Sequence, residues 1–180
     1  MRWVGRTVLH AAGWELTGTI PDLPRFVCIV APHTSNWDFP VGLAAKWALG
    51  FHVTWLGKDA LFRPPLGWFM RAVGGMPVDR RTPNALVERT AQAFAEREQL
   101  VLVLAPEGTR HKVTKWRSGF WHIARAANVP VVCAAIDWSR KQVRFGPTLD
   151  VHPDVEPDVD IARIKAHYDD VQGYHPALQA

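Results

Sequence analysis

The chain has 180 residues, 48% hydrophobic and 21% charged, with 21 basic against 17 acidic side chains and a net charge of +4. That length supports one domain with a substantial core, and the balance is that of an ordinary globular chain rather than a disordered or fibrous one. The mild positive charge favours anionic partners, phosphates or acidic lipid surfaces. Its Lys and Arg are scattered and no nucleic-acid module is present, so nucleic acid is not an expected partner.

Residues 1–13 carry Arg2, Arg6 and His10 at every fourth position, which on a helix share one face, with Trp3, Val4, Val8, Leu9 and Ala12 largely on the other. Two readings stand: an amphipathic helix lying on a membrane interface, or one packed on its own domain. The same cations interrupt any signal-peptide core. No run reaches the roughly 18 apolar residues of a membrane-spanning helix.

From there the pattern alternates strand and helix, the signature of an α/β domain. Phe26 to Ala31 is an apolar strand stopped by Pro32. Asn36 or Ser35 is suited to cap a helix from about Trp37 to Leu49, with Pro40 in its first turn. Phe51 to Leu56 reads as a strand. Lys58 to Arg71 reads as a loop leading into a short aromatic-rich helix, broken at Gly74-Gly75 before an extended Met76 to Val78. Asn84 to Gln99 has strong helical composition. Leu100 to Leu104 is a buried strand ended by Pro106, Gly119 to Ala127 a helix, Pro130 to Ile136 and Gln142 to Phe145 strands, and Val159 to Tyr168 a terminal helix. The expected fold is a single α/β domain over residues 1–180, a mixed and mostly parallel sheet flanked by helices. Cys28 and Cys133 lie inside apolar runs, as buried free thiols do. This usage fits a reducing cytoplasm. Nine tryptophans are many, and indole favours boundaries between apolar and wet surroundings.

Two motifs carry chemistry. His33-Thr34-Ser35-Asn36-Trp37-Asp38 places a histidine and an aspartate around one turn at a strand's carboxyl end, where α/β folds hold ligands. An imidazole, with an ordinary pKa of about 6.5, suits removal of an alcohol proton. A carboxylate beside it fixes the tautomer and stabilises the imidazolium. Glu107-Gly108-Thr109-Arg110 follows a second strand. Gly108 permits a tight turn whose N–H groups meet an anion, and Arg110 offers a planar fork for phosphate oxygens. Glu107 is expected to brace an arginine or to bind a substrate hydroxyl. Arg80 and Arg81 form a second cationic element, one of them facing the site. Lys115 and Arg117 add charge downstream.

With these residues assembled, the chain resembles the phosphate acyltransferase family that includes the lysophosphatidic acid acyltransferases. Four blocks match in order: His33 to Asp38, Gly75 to Arg80, Glu107 to Arg110, and Val129-Pro130-Val131-Val132. The resemblance runs from about Trp14 to Phe145. It implies a glycerol-3-phosphate acyltransferase-like fold and an acyl donor on coenzyme A or acyl carrier protein. It also implies a lysophospholipid acceptor such as 1-acyl-glycerol-3-phosphate, at the inner face of the cytoplasmic membrane. His33 would be the base and Asp38 its partner, with Arg80 and Arg110 near the acceptor phosphate. No metal or tightly bound cofactor is implied. Many relatives have longer or membrane-spanning N-terminal segments, and Ala105 stands where an aromatic residue commonly precedes Pro106. Two other readings use the same residues: a hydrolase or thioesterase in which water replaces the alcohol, and a non-catalytic peripheral membrane-binding module.

Overall fold

The computed structural model describes residues 1–78, 83–152 and 154–180. A seven-stranded sheet forms its centre: β1 (Glu15–Gly18), β2 (Arg25–Ala31), β3 (Val53–Lys58), β4 (Gly75–Val78), β5 (Leu100–Leu104), β6 (Val131–Asp137) and β7 (Gln142–Leu149). Their spatial order is β1-β7-β6-β2-β5-β3-β4. Only the β6–β7 pair is antiparallel, so the mixed, mostly parallel α/β domain expected from the sequence is the one observed.

Among the described residues six α-helices accompany it: α1 (Arg2–Ala11), α2 (Asp38–Leu49), α3 (Gly67–Ala72), α4 (Pro83–Ala95), α5 (Gly119–Ala127) and α6 (Pro157–Lys165). Alternation along the buried strands divides the core into two layers. Val27, Ile29, Leu102, Val131 and Cys133 face Phe94 of α4, Phe120 and Trp121 of α5, and Ile161 and Ile164 of α6. Phe26, Cys28, Val101, Val132 and Ala134 point the other way. On that second face Ala44, Ala45 and Ala48 of α2 pack with Leu9 and Trp14 against Ile136 and Val143. Cys28 and Cys133 are buried and free. Burial pushes their thiols up to about 12 and about 11, which removes the thiolate that reactivity requires.

β2 and β5 are adjacent and parallel, paired from Arg25↔Leu100 to Ile29↔Leu104. The chain leaves β2 through α2 for β3 on one side, and leaves β5 through α5 for β6 on the other. Neighbouring strands that depart in opposite directions open a crevice at their carboxyl ends. Both chemical motifs begin there.

Several boundaries move from their sequence expectations for local reasons. β1 was not expected: it is a four-residue edge strand whose residues are half-buried or exposed. β3 starts two residues late because Gly50, in the left-handed region at φ 75°, closes α2 and Phe51 turns edge-on to Phe26, with ring centroids 6.5 Å apart. Gly75 opens β4 instead of breaking a helix. α4 stops at Ala95, where the Arg25 guanidinium donates to the Phe94 carbonyl at 3.0 Å. β7 runs on through Pro147 to Leu149. It pairs with β1 only as far as Phe145, so the proline faces no second ladder there.

α1 packs on its own domain. Gly5 and Leu9 are buried, and a Cβ on Gly5 would come within 2.5 Å of the Ala44 carbonyl oxygen, so the helix backbone lies directly on α2. Leu9 therefore belongs to the packing face rather than the open one. Val4, Val8 and Trp3, the last 76% exposed, remain outside.

Candidate active site

His33 follows β2 by two residues, and its Nδ1 lies 2.9 Å from Asp38 Oδ2. The same oxygen accepts the main-chain N–H of Thr34 at 3.0 Å and of Ser35 at 2.9 Å. These bonds fold the turn around the carboxylate, which is 2% exposed while the His33 side chain is 29% exposed. With Nδ1 donating to Asp38, the ring's free lone pair resides on Nε2. The helix begins at Asp38, not at Trp37, and its N-cap residue Trp37 has no side-chain cap. Ser35 Oγ instead accepts the Trp37 N–H at 3.1 Å. The hydrogen bonds that a cap would make are spent on holding the His33–Asp38 turn.

Glu107 lies under the histidine. Its Oε1 accepts the His33 main-chain N–H at 3.1 Å, and Oε2 has no hydrogen-bond partner among the described residues. Glu107 thus braces the histidine's own backbone. Burial pushes the Glu107 carboxyl above the ordinary glutamate range, against the opposing pull of the His33 N–H. A carboxyl raised in the folded state favours folding below its unfolded value, and that contribution is lost as pH rises through the folded value. Glu107→Gln keeps an oxygen for the N–H and cannot ionise. It is expected to raise Tm by a few degrees at neutral pH, and to leave Tm unchanged at pH values below the glutamate range. Thermal unfolding across pH checks this.

Gly108 adopts φ +66°, and a Cβ there would approach Arg117 Cδ to 2.7 Å. Arg117 therefore lies across the turn, whereas Lys115 is turned away to Asp158 at 2.6 Å. Thr109 Oγ1 accepts the His111 N–H at 3.3 Å. Arg110 reaches back to the first motif, its Nη1 hydrogen-bonded to Asn36 Oδ1, with its guanidinium on the exposed side of the site. The two motifs thus share one crevice. Arg80, its neighbour Arg81, and Asp79 lie outside the described residues.

Sequence reasoning missed Trp138. Its Nε1 donates to Asp38 Oδ1 at 2.8 Å, so each oxygen of the buried carboxylate is engaged. The indole is held edge-on to Trp14, with centroids 4.8 Å apart, and to Tyr174 at 4.6 Å. Its main-chain N–H donates to the Gln172 carbonyl. The residues after Gln172 cross the His33–Asp38 turn: His175 N–H donates to Thr34 Oγ1 at 3.1 Å, and a Cβ on Gly173 would meet that oxygen at 2.7 Å. Trp138 stands just past β6, the other neighbour of β2, so strand order identifies it where a linear motif does not. Trp138→Phe keeps the ring and deletes the donor. A fall in kcat of about tenfold, or about 1.4 kcal/mol of barrier, is expected with KM for both substrates unchanged. A change confined to KM would mean that Trp138 serves binding instead.

His33 and Asp38 also stand at the mouth of an apolar cavity of about 230 Å³, lined by residues including Phe26, Val30, Gly42, Val103 and Ala134. It runs beneath α2 towards Leu49 and Phe51. Among the described residues Lys46 is the one other charged side chain on its wall, and its Nζ donates to the Val73 carbonyl at 2.7 Å. Burial lowers the Lys46 pKa.

Comparison with known proteins gives this geometry a context. The 1-acyl-sn-glycerol-3-phosphate acyltransferase of Streptococcus pneumoniae is 25% identical over 150 residues, covering 78% of this chain and 56% of the relative. The chain therefore spans about half the length of that curated protein. The crystal structure of the 1-acyl-sn-glycerophosphate (LPA) acyltransferase PlsC from Thermotoga maritima shares the fold at a TM-score of 0.65 and 16% identity, covering 96% of this chain and 79% of that one. The family model described as Acyltransferase matches residues 17–137. That span takes in both motifs and most of the sheet that brings them together, and the chain belongs to the acyltransferase family.

Proposed function

We propose that this protein transfers a fatty acyl group from a thioester, acyl-coenzyme A or acyl carrier protein, to the free hydroxyl of a lysophospholipid such as 1-acyl-glycerol-3-phosphate. The observation that carries the reading is the His33–Asp38 contact of 2.9 Å at the mouth of an apolar cavity, with Arg110 beside it.

His33 Nε2 takes the proton of the acceptor hydroxyl as its oxygen attacks the thioester carbonyl. Asp38 stabilises the imidazolium so formed. The tetrahedral intermediate collapses to the ester and expels the thiolate, which recovers the proton from His33. No enzyme nucleophile and no covalent intermediate are needed. The cavity suits the acyl tail. From Asp38 to Leu49 the helix above it rises roughly 16 Å. An alkyl tail lying along that helix would be buried against the cavity's apolar lining. Each buried methylene contributes about 0.8 kcal/mol.

On the polar side, Arg110 and Arg117 suit the acceptor phosphate, with Arg80, Gly108 and Thr109 assigned to the same group by motif. Arg110→Ala is expected to raise the acceptor KM about tenfold, the scale of one charge-assisted contact, with donor KM unchanged. Equal changes for both substrates would mean the assignment is wrong. Among the described residues no helix is long and apolar enough to cross a membrane. The exposed Val4, Val8 and Trp3 of α1, with Arg2 and Arg6, support peripheral attachment to a bilayer.

The reaction is tested by mass spectrometry. Wild type and His33→Ala receive palmitoyl-coenzyme A or the corresponding acyl carrier protein with a panel of lysolipids. A diacyl product made by wild type alone supports the reading. Free fatty acid without product indicates the hydrolase, and vesicle binding without either reaction indicates the membrane module.

A further inference from the structure

A second apolar surface lies on the segment that joins β3 to β4. Asp59–Phe62 forms a 3₁₀ turn and α3 follows after Pro64-Pro65. Leu61, Leu66, Trp68 and Phe69 are all exposed, Trp68 by 76%. They fall within a span of nine residues, and large exposed side chains so concentrated mark an interaction site.

The exposure is held in place. Phe62 is buried, with its ring 5.8 Å from that of Trp55 and the Arg71 guanidinium 5.2 Å from its centroid. Gly67 sits against the Phe62 backbone so closely that a Cβ would fall 2.0 Å from the carbonyl oxygen. The turn and α3 are therefore one knuckle, pinned inward by Phe62 and Gly67, that presents its remaining apolar side chains outward. Its charge is one-sided. Lys58, Arg63 and Arg71 are exposed, and Asp59, 3.9 Å from Arg63, is the one acid in residues 58–72.

We propose that this knuckle docks into the surface of an anionic lipid bilayer, with Trp68, Phe69, Leu61 and Leu66 entering the interface and Lys58, Arg63 and Arg71 meeting the headgroups. Indole prefers that depth, and exposed cations beside it draw on the negative surface potential. Its position adds a reason. Val73, directly after α3, lines the cavity that opens at His33. The Val73 carbonyl joins the knuckle to α2 and β3 by accepting Lys46 Nζ at 2.7 Å and Trp55 Nε1 at 3.3 Å. A docked knuckle thus holds the acyl cavity beside the lipid phase. The benefit to catalysis, though not the docking, rests on the lipid-acceptor reading above.

The test uses the full chain and co-sedimentation with vesicles of phosphatidylglycerol or of phosphatidylcholine. Trp68→Ser/Phe69→Ser and, separately, Arg63→Glu are compared with Val159→Ser, a control at an exposed apolar position on α6. The expected result is a loss of phosphatidylglycerol binding of about tenfold or more in the first two and none in the control, with wild-type circular dichroism throughout. Wild type should bind phosphatidylcholine more weakly. Undiminished binding by the double variant overturns the proposal, as does equal wild-type affinity for the two lipids. A wild-type dimer that the double variant converts to monomer, with vesicle binding unchanged, would assign the surface to self-association instead. Vesicle binding that follows the expected pattern without acyl transfer by wild type would leave the dock standing and remove the lipid-acceptor reading.

Discussion

Replacing His33 by Ala is expected to lower acyl transfer by roughly 10²–10⁴-fold, the usual contribution of a positioned general base, while the protein stays folded. The ring is half-buried, with 29% of it exposed. Its removal takes from Asp38 a single partner of four: Thr34 N–H, Ser35 N–H and Trp138 Nε1 remain. Tm should accordingly stay within about 4 °C of wild type, the equivalent of about 1 kcal/mol or less in a domain of this size. The substrate oxygen is the nucleophile in this mechanism, so the lost rate has no second route through an enzyme acyl group. Steady-state transfer and thermal unfolding of the same preparations provide the check. Transfer within tenfold of wild type would remove His33 as the base. Loss of transfer with a Tm lower by ten degrees would instead show the variant to be misfolded.

The chemistry of this site is more legible in the sequence than its architecture. His33, Asp38 and Glu107-Gly108-Thr109-Arg110 stand out because each residue type suits its task and each motif follows an apolar run that ends at proline. The parallel pairing of β2 with β5 is what turns two motifs 74 residues apart into one crevice, shown by the contacts of His33 with Glu107 and Asn36 with Arg110. Strand order is a long-range property that no local pattern encodes, and it hid Trp138. It also hid the contact between Glu107 and the His33 N–H, since a buried carboxylate one turn past a strand carries no sign of what the neighbouring strand places against it. β1 escaped for the opposite reason: four short, half-buried residues at a sheet edge carry too little apolar alternation to register. The apolar cavity was also beyond sequence reasoning, since Val30, Val103 and Ala134 look like ordinary strand core. Small residues on the facing helix, Gly42 among them, leave the space.

Asp38→Asn is expected to match His33→Ala in lost activity and to differ from it in stability, because Asp38 does structural work that His33 does not. One carboxylate oxygen accepts His33 Nδ1, Thr34 N–H and Ser35 N–H, and the other accepts Trp138 Nε1. An asparagine has one acceptor oxygen. If its oxygen faces the turn, its amide hydrogens confront the Trp138 N–H. If it faces Trp138, they confront three donors at once. The first orientation costs less and still leaves a buried donor opposed, a penalty of about 1–3 kcal/mol, or some 2–4 °C of Tm per kcal/mol at this size. Catalysis suffers even in that orientation. A neutral amide oxygen holds the Nδ1 proton but lacks the charge that stabilises the imidazolium as the alcohol proton is transferred. A loss of roughly 10²–10⁴-fold in kcat is expected, on the scale assigned to the base itself. Because the two residues act as one unit, His33→Ala/Asp38→Asn should lose no more activity than His33→Ala alone. Its stability should follow Asp38→Asn. If the activity losses multiply in the double variant, the two side chains act in separate steps and the proposed proton transfer through a His33–Asp38 pair is wrong.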